Sequence, residues 1–250
     1  MNSFMEQFKR SLVVAEKNIK IYYSKGPVIV FGLVFPLFLA LAYVIGRNVP
    51  LKEILPGLIG MTTFFTATSV GPSIVPWETR SKTLERLLCC PVAFWTIIFG
   101  DMISSFIFGL VISVVPLVLI QILGIELLNF VLLIFGLVFA NICFAAFSVL
   151  LSAYPPTDVP STTMMLSSLV KFPLVFISGV FIPVDQLPPW GTVIASISPL
   201  TYYIDMVRHL FLGNGFYPLT VDFLAVVAFM LAFTFAAIKL HERTLAKRLS

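Results

Sequence analysis

The chain has 250 residues and a net charge of +4; it is 59% hydrophobic, only 11% charged, and has a mean hydropathy of +1.02. Soluble domains carry about 25% charged residues, so the composition excludes an ordinary soluble domain and reads as a polytopic α-helical membrane protein. Long continuous apolar runs argue against the short alternating segments of a β-barrel, and in such a chain the positive charge reports orientation rather than nucleic-acid binding.

Residues 4–23 read as an amphipathic helix, with Phe4, Phe8, Leu12, Ala15, Ile19 and Tyr22 on one face and the lysines and Arg10 elsewhere. A basic amphipathic helix beside a span lies in the membrane interface, with a plain soluble helix as the alternative. The charges between Glu6 and Lys25 leave no uninterrupted apolar core for a cleavable signal peptide. Six spans are expected, at 27–45, 54–75, 97–123, 128–151, 162–182 and 223–240, each long enough for a hydrocarbon core of about 30 Å, the last only just. Pro36, Pro56, Pro72, Pro116 and Pro173 predict kinks or breaks.

Between the second and third spans lies WETRSKTLERLLCCP, residues 77–91, with five charges between Glu78 and Arg86. Ser81 is a candidate helix cap, and Leu84, Leu87 and Leu88 share one face. Glu78 and Lys82 stand at i, i+4 in the favourable order, and Pro91 ends the helix. Spacing leaves two readings open: a helix that turns the chain, or a docking knob for a partner's groove.

With the N-terminus in the cytoplasm, 12 Lys and Arg fall inside against 3 outside (Arg47, Lys52 and Arg208), which places both termini in the cytoplasm. The connection 183–222 is then outside, yet too apolar for a solvated loop. Two short re-entrant helices are expected there, at 189–196 and 200–212, the second burying Tyr203, Ile204, Val207, Leu210 and Phe211. Asp205 and Arg208, three residues apart, read as a local ion pair or a gate at the outer mouth. Residues 1–250 form one transmembrane domain.

No G-x-x-x-x-G-K-[ST] occurs, so the chain has no P-loop of its own. His209 and His241 fall on opposite membrane sides without ligand-spaced partners, so neither a metal site nor a catalytic site is expected. Cys89, Cys90 and Cys143 form no disulfide framework. Two polar stripes stand out: Thr62, Thr66, Ser69 and Ser73 in the second span, and Ser168, Lys171 and Ser178 in the fifth. Such stripes are helix glue or a pathway lining. Lys171 costs roughly 2.5–3.5 kcal/mol at a helix centre, so it must pair, snorkel or face a wet cavity. Asp101 is a partner by charge, though expected at a different depth.

The segment 77–91 resembles the cytoplasmic segment of type-2 ATP-binding-cassette (ABC-2) export permeases, with Thr83, Leu84, Glu85, Leu87, Leu88 and Pro91 matching and Lys82 where glycine is usual. LVFISGVFIPVDQLPPW through SPLTYYIDMVR resembles the family's C-terminal signature at Leu174, Ile177, Ser178, Val180, Leu187, Pro188, Pro199, Leu200, Tyr202 and Arg208. Lys171 departs from it, standing where an aliphatic or small residue is usual. The order of elements matches over nearly the whole chain. The resemblance implies a half-transporter in the plasma membrane among lipids, with no nucleic-acid partner. A second copy or a related permease completes it. A separate ATPase subunit with a Walker A motif binds ATP and Mg, none of which this chain holds itself. Glu78, Thr83, Leu84, Glu85, Leu87, Leu88 and Pro91 would then belong to a coupling helix, with the N-terminal helix beside it. The second and fifth spans would face their mates, making Thr62, Thr66, Ser69, Ser168, Lys171 and Ser178 conduit candidates. Relatives of this kind export drug-like, lipid or polysaccharide substrates. A stand-alone channel or secondary carrier is the rival, and it leaves 77–91 without a role.

Overall fold

The computed structural model describes residues 4–45, 50–122, 124 and 128–249. Arg47 and the expected last residue of the third span, Leu123, lie outside them. The described residues form helices joined by short turns: α1 Phe4–Asn18, a π turn Ile19–Tyr23, α2 Gly26–Val44, α3 Leu51–Ala67, α4 Gly71–Arg80 and α5 Thr83–Leu88. There follow α6 Phe94–Ile122, α7 Phe130–Ser152, α8 Pro160–Ile177, a 3-10 turn Val184–Gln186, α9 Pro189–Ala195, α10 Pro199–Leu212 and α11 Leu219–Leu249. Five helical stretches are long and apolar enough to cross a bilayer: Lys52–Arg80, Phe94–Leu119, Phe130–Ser152, Pro160–Ile177 and Leu219–Arg248. A sixth is reached when Phe4–Tyr23 and Val28–Leu39, which meet at 90°, count as one bent pair. The chain is an all-helical integral membrane protein.

The second span is broken into α3 and α4, and sequence chemistry explains where. Pro72 has no N–H to return to the Thr68 carbonyl four residues back, and its ring crowds that carbonyl. The chain leaves α3 at Ala67 and re-enters α4 at Gly71, with Pro72 in the first turn. Lys171 Nζ of α8 donates to the freed Thr68 carbonyl at 3.1 Å. Membrane helices tolerate proline breaks when a neighbour satisfies the released backbone group, and here the neighbour is a lysine.

Apolar burial drives little helix association in lipid, so close packing and polar contacts hold the bundle. Phe64 of α3 meets Phe144 of α7 edge-on at 5.2 Å, and Phe144 meets Tyr203 of α10 at 5.9 Å. Such pairs contribute about 0.5–1.5 kcal/mol each beyond their area. The five residues expected to share a face of the second outer helix, Tyr203, Ile204, Val207, Leu210 and Phe211, are all buried, so α10 is a core element between α3, α7 and α11. It also meets α8, through the Ser178–Ser198 hydroxyl pair at 2.7 Å just before it.

The N-terminal helix packs with the face opposite to its apolar stripe. Gln7, Ser11, Val14, Ala15 and Asn18 are buried, whereas Phe4, Met5, Phe8, Leu12 and Val13 are exposed. The buried stripe lies against α6, where Gly100 permits the approach: a Cβ there would stand 2.6 Å from Val14 Cβ. The sequence reading assigned Ala15 to the apolar face; the structure puts it in the seam with α6.

Candidate functional site

Residues 77–91 fold as the end of α4, a tight turn and the six-residue α5. Lys82 makes the turn with φ 55° and ψ 22°, the one non-glycine among the described residues with positive φ. This left-handed conformation is the one glycine adopts freely and other residues adopt at a cost of roughly 1–2 kcal/mol. The glycine-type turn is therefore kept although lysine occupies it. Ser81 does not cap α5: its hydroxyl donates back to Trp77 O at 2.8 Å, and the cap position belongs to Lys82.

The leucine face is turned inward. Leu84 is 1% exposed in a cluster with Val75 and Ile97, and Leu87, Leu88, Phe94 and Leu245 pack against it. These leucines seat the segment on its own bundle. The outward face carries Lys82, Glu85, Arg86, Cys89 and Cys90, with Pro91 also exposed and Thr83 half-buried.

Glu78 is fully buried, and its partner is not Lys82. Lys17 of α1 donates to Glu78 Oε1, while Lys82 stays exposed. At the next residue, Asn18 Nδ2 donates to Asp101 Oδ1 of α6 at 2.6 Å, and Tyr23 OH meets Ser105 Oγ at 2.7 Å. Asp101 is thus engaged with α1, not with Lys171. At the other end of the segment, Gln7 Oε1 accepts from Ala93 N at 3.0 Å and Thr96 Oγ1 at 2.7 Å. Gln7 Nε2 and Arg10 Nη1 both donate to Pro91 O. Gln7 so satisfies the N–H just before α6 and a hydroxyl in its first turn. One helix, α1, holds both ends of 77–91.

The polar stripes face inward too. Thr62, Thr66 and Ser69 are buried, and their hydroxyls donate to carbonyls of their own helix or its end. The apolar stretch of the second span is buried throughout, whereas the fifth exposes Met165, Leu169, Val170 and Phe176. Ser168 is half-buried and donates to Met164 O; Ser178 and Lys171 are buried. The structure brings Lys171 to Thr68 and Ser178 to Ser198.

At the α10 end, Asp205 and Arg208 take separate roles. The Asp205 carboxylate accepts from Phe216 N at 2.9 Å and Tyr217 N at 2.7 Å. Arg208 Nη2 reaches Gly179 O at 3.5 Å and lines a cleft of about 480 Å³ with Glu53, Asp185 and Gln186. His209 gathers with Asp205 and Asp222, against the expectation that it had no ligand-type neighbours. The signal was present as the four-residue step from Asp205 to His209 on one helix; Asp222 was out of reach of any sequence pattern. Burial, then the charges of Asp205 and Asp222, raises the Tyr217 phenol above its ordinary value.

A family model and three related proteins agree with this architecture. The family model described as ABC-2 type transporter matches residues 11–212. A transport permease named ycf38, of Cyanophora paradoxa, is 29% identical over 82% of this chain and 75% of its own length. The inner membrane transport permease YadH of Escherichia coli K12 is 26% identical over 77% of this chain and 75% of its own. ABC transporter G family member 20 of Dictyostelium discoideum is 26% identical over 78% of this chain, which covers 27% of that longer protein. A match over most of the chain, on a helical bundle with five or six candidate spans, makes the chain a member of the ABC-2 type transporter family, a membrane permease.

Proposed function

We propose that the chain is the permease half of an ATP-driven exporter whose separate ATPase acts through residues 77–91. The observation that carries this reading is the double clamp on that segment. Lys17 holds its start at Glu78, Gln7 and Arg10 hold its end at Pro91, and Leu84 seats it on the spans. A segment that merely turned the chain would need no such bracing. A lever that receives force from a partner must pass it on without flexing, and here it is joined to the second span through α4 and to the third through α6. Glu85 and Arg86 form the face offered to the ATPase, with Thr83, Leu87 and Leu88 shaping its edge and Glu78, Leu84 and Pro91 anchoring it. The exposed apolar side of α1, Phe4, Phe8 and Leu12, suits the interfacial membrane position expected from the sequence.

The exposed side of α8 is the surface we assign to a second copy, with α3 and α4 wrapped within one protomer. Thr62, Thr66, Ser69, Ser168, Lys171 and Ser178 reach a conduit only in a state in which α8 moves from the α3–α4 break. Both termini are assigned to the cytoplasm by the positive-inside bias, and ATP and Mg to the partner. The substrate class remains drug-like, lipid or polysaccharide. The test is purification of the chain from its native membrane: an ATPase with a Walker A motif should accompany it, and transport by reconstituted vesicles should require ATP. Transport by the purified chain alone would overturn the reading in favour of a channel or secondary carrier.

A further inference from the structure

Asp205, His209 and Asp222 each place one ligand atom within 4.8 Å of the others, at the junction of α10 and α11. Asp205 and His209 come from one face of α10, four residues apart, and Asp222 from the first turn of α11. Asp222 is fully buried, and neither carboxylate oxygen accepts a hydrogen bond from any described residue. A buried carboxylate without a partner costs several kcal/mol and is paired, protonated or metal-bound in stable proteins.

The surroundings orient the other two groups as ligand supports do. Tyr217 O accepts from His209 Nε2 at 2.6 Å, which leaves Nδ1 as the ring's lone-pair nitrogen. Metal-binding imidazoles are oriented in this way, by a carbonyl on the far nitrogen. Phe216 N and Tyr217 N fix Asp205. The loop closes this tightly because residue 215 is glycine, where a Cβ would run into the His209 ring.

We propose that Asp205, His209 and Asp222 bind one divalent first-row transition ion of the zinc class and so tie α10 to α11. Two carboxylates and an imidazole are a donor set for Zn²⁺, with water completing four ligands. Ligand atoms about 2.0–2.2 Å from one tetrahedral ion stand about 3.3–3.6 Å apart, so side-chain rotations that draw the three groups together by about 1 Å close the observed spacing around it. The ion offsets the two carboxylates, and it fixes the short α10–α11 loop at the end of the bundle opposite α5.

The test uses the full chain in detergent, without a polyhistidine tag and with Cys89 and Cys90 replaced by serine, since adjacent exposed thiols bind zinc by themselves. After chelation, ZnCl₂ is titrated by calorimetry and by thermal melting. The expected result is about one Zn²⁺ per chain and a melting temperature that rises with zinc. Asp222→Asn and His209→Gln should each weaken binding at least tenfold while the metal-free proteins still melt cooperatively. No stoichiometric Zn²⁺ binding, or an affinity in both variants equal to that of the parent, would overturn the proposal and leave a proton shared by the two carboxylates as the neutralising species.

Discussion

Lys171 and Pro72 are coupled through one carbonyl. Pro72 withdraws a hydrogen bond from Thr68 O, and Lys171 Nζ supplies one. Lys171→Met leaves that carbonyl unsatisfied, at a cost of about 1–3 kcal/mol. Pro72→Ala restores an N–H, so the double variant should lose less stability than Lys171→Met alone. Unfolding of the four proteins in mixed micelles measures the difference, and additive losses would contradict the pairing. Lys82 gives the second residue-scale prediction. Lys82→Gly removes the left-handed strain and should stabilise the chain by up to about 1 kcal/mol, whereas Lys82→Val should destabilise it in the same assay. Both residues were conspicuous in the sequence, Lys171 as a lone membrane cation and Lys82 as a departure from glycine. Partner and backbone angle were not, because Thr68 is 103 residues from Lys171 and a carbonyl carries no side-chain signal.

At the scale of elements, α1 is the piece whose role changes most between sequence and structure. Its apolar periodicity was legible, but its docking depends on Gln7, Ser11 and Asn18, which a hydropathy pattern counts as solvent-facing. Polar contacts against α6 win there because they satisfy groups that would otherwise be buried unpaired. Lys17→Met should loosen α1 more than Glu78→Gln. The first leaves a buried carboxylate without its cation, whereas the second removes the buried charge and keeps an oxygen that accepts from the partly exposed Lys17. Limited proteolysis between α1 and α2 reads the release, and equal protection in both variants would contradict the clamp. The fourth span lies close to its expected bounds: 128–151 was expected and Phe130–Ser152 is found. The last helix runs on to Leu249, beyond the expected 240, because its charged tail is helical as well as its apolar part. Leu245 in the α5 cluster and Arg248 Nη1 on Thr157 O hold that tail in place.

For the whole molecule, the fold class and family follow from composition, the order of elements and two matching segments. The direction of the leucine face on α5 did not follow, because periodicity reports that a face is apolar and not which surface it meets. With Leu84 inside, Leu84→Asp should disrupt folding, and the informative substitutions are on the exposed side. Glu85→Lys and Arg86→Glu should leave expression and melting within about 0.5 kcal/mol of the parent, as for other surface changes, while lowering ATP-dependent transport. The proposed function turns on engagement of residues 77–91 by an ATPase. A photo-crosslinking amino acid at position 85, with position 190 on α9 as the control, tests it directly in native membranes. A nucleotide-sensitive adduct between position 85 and a Walker A subunit is expected, and none from position 190; capture of that subunit from position 190, or no capture from position 85 in a complex that transports, would rule the engagement out.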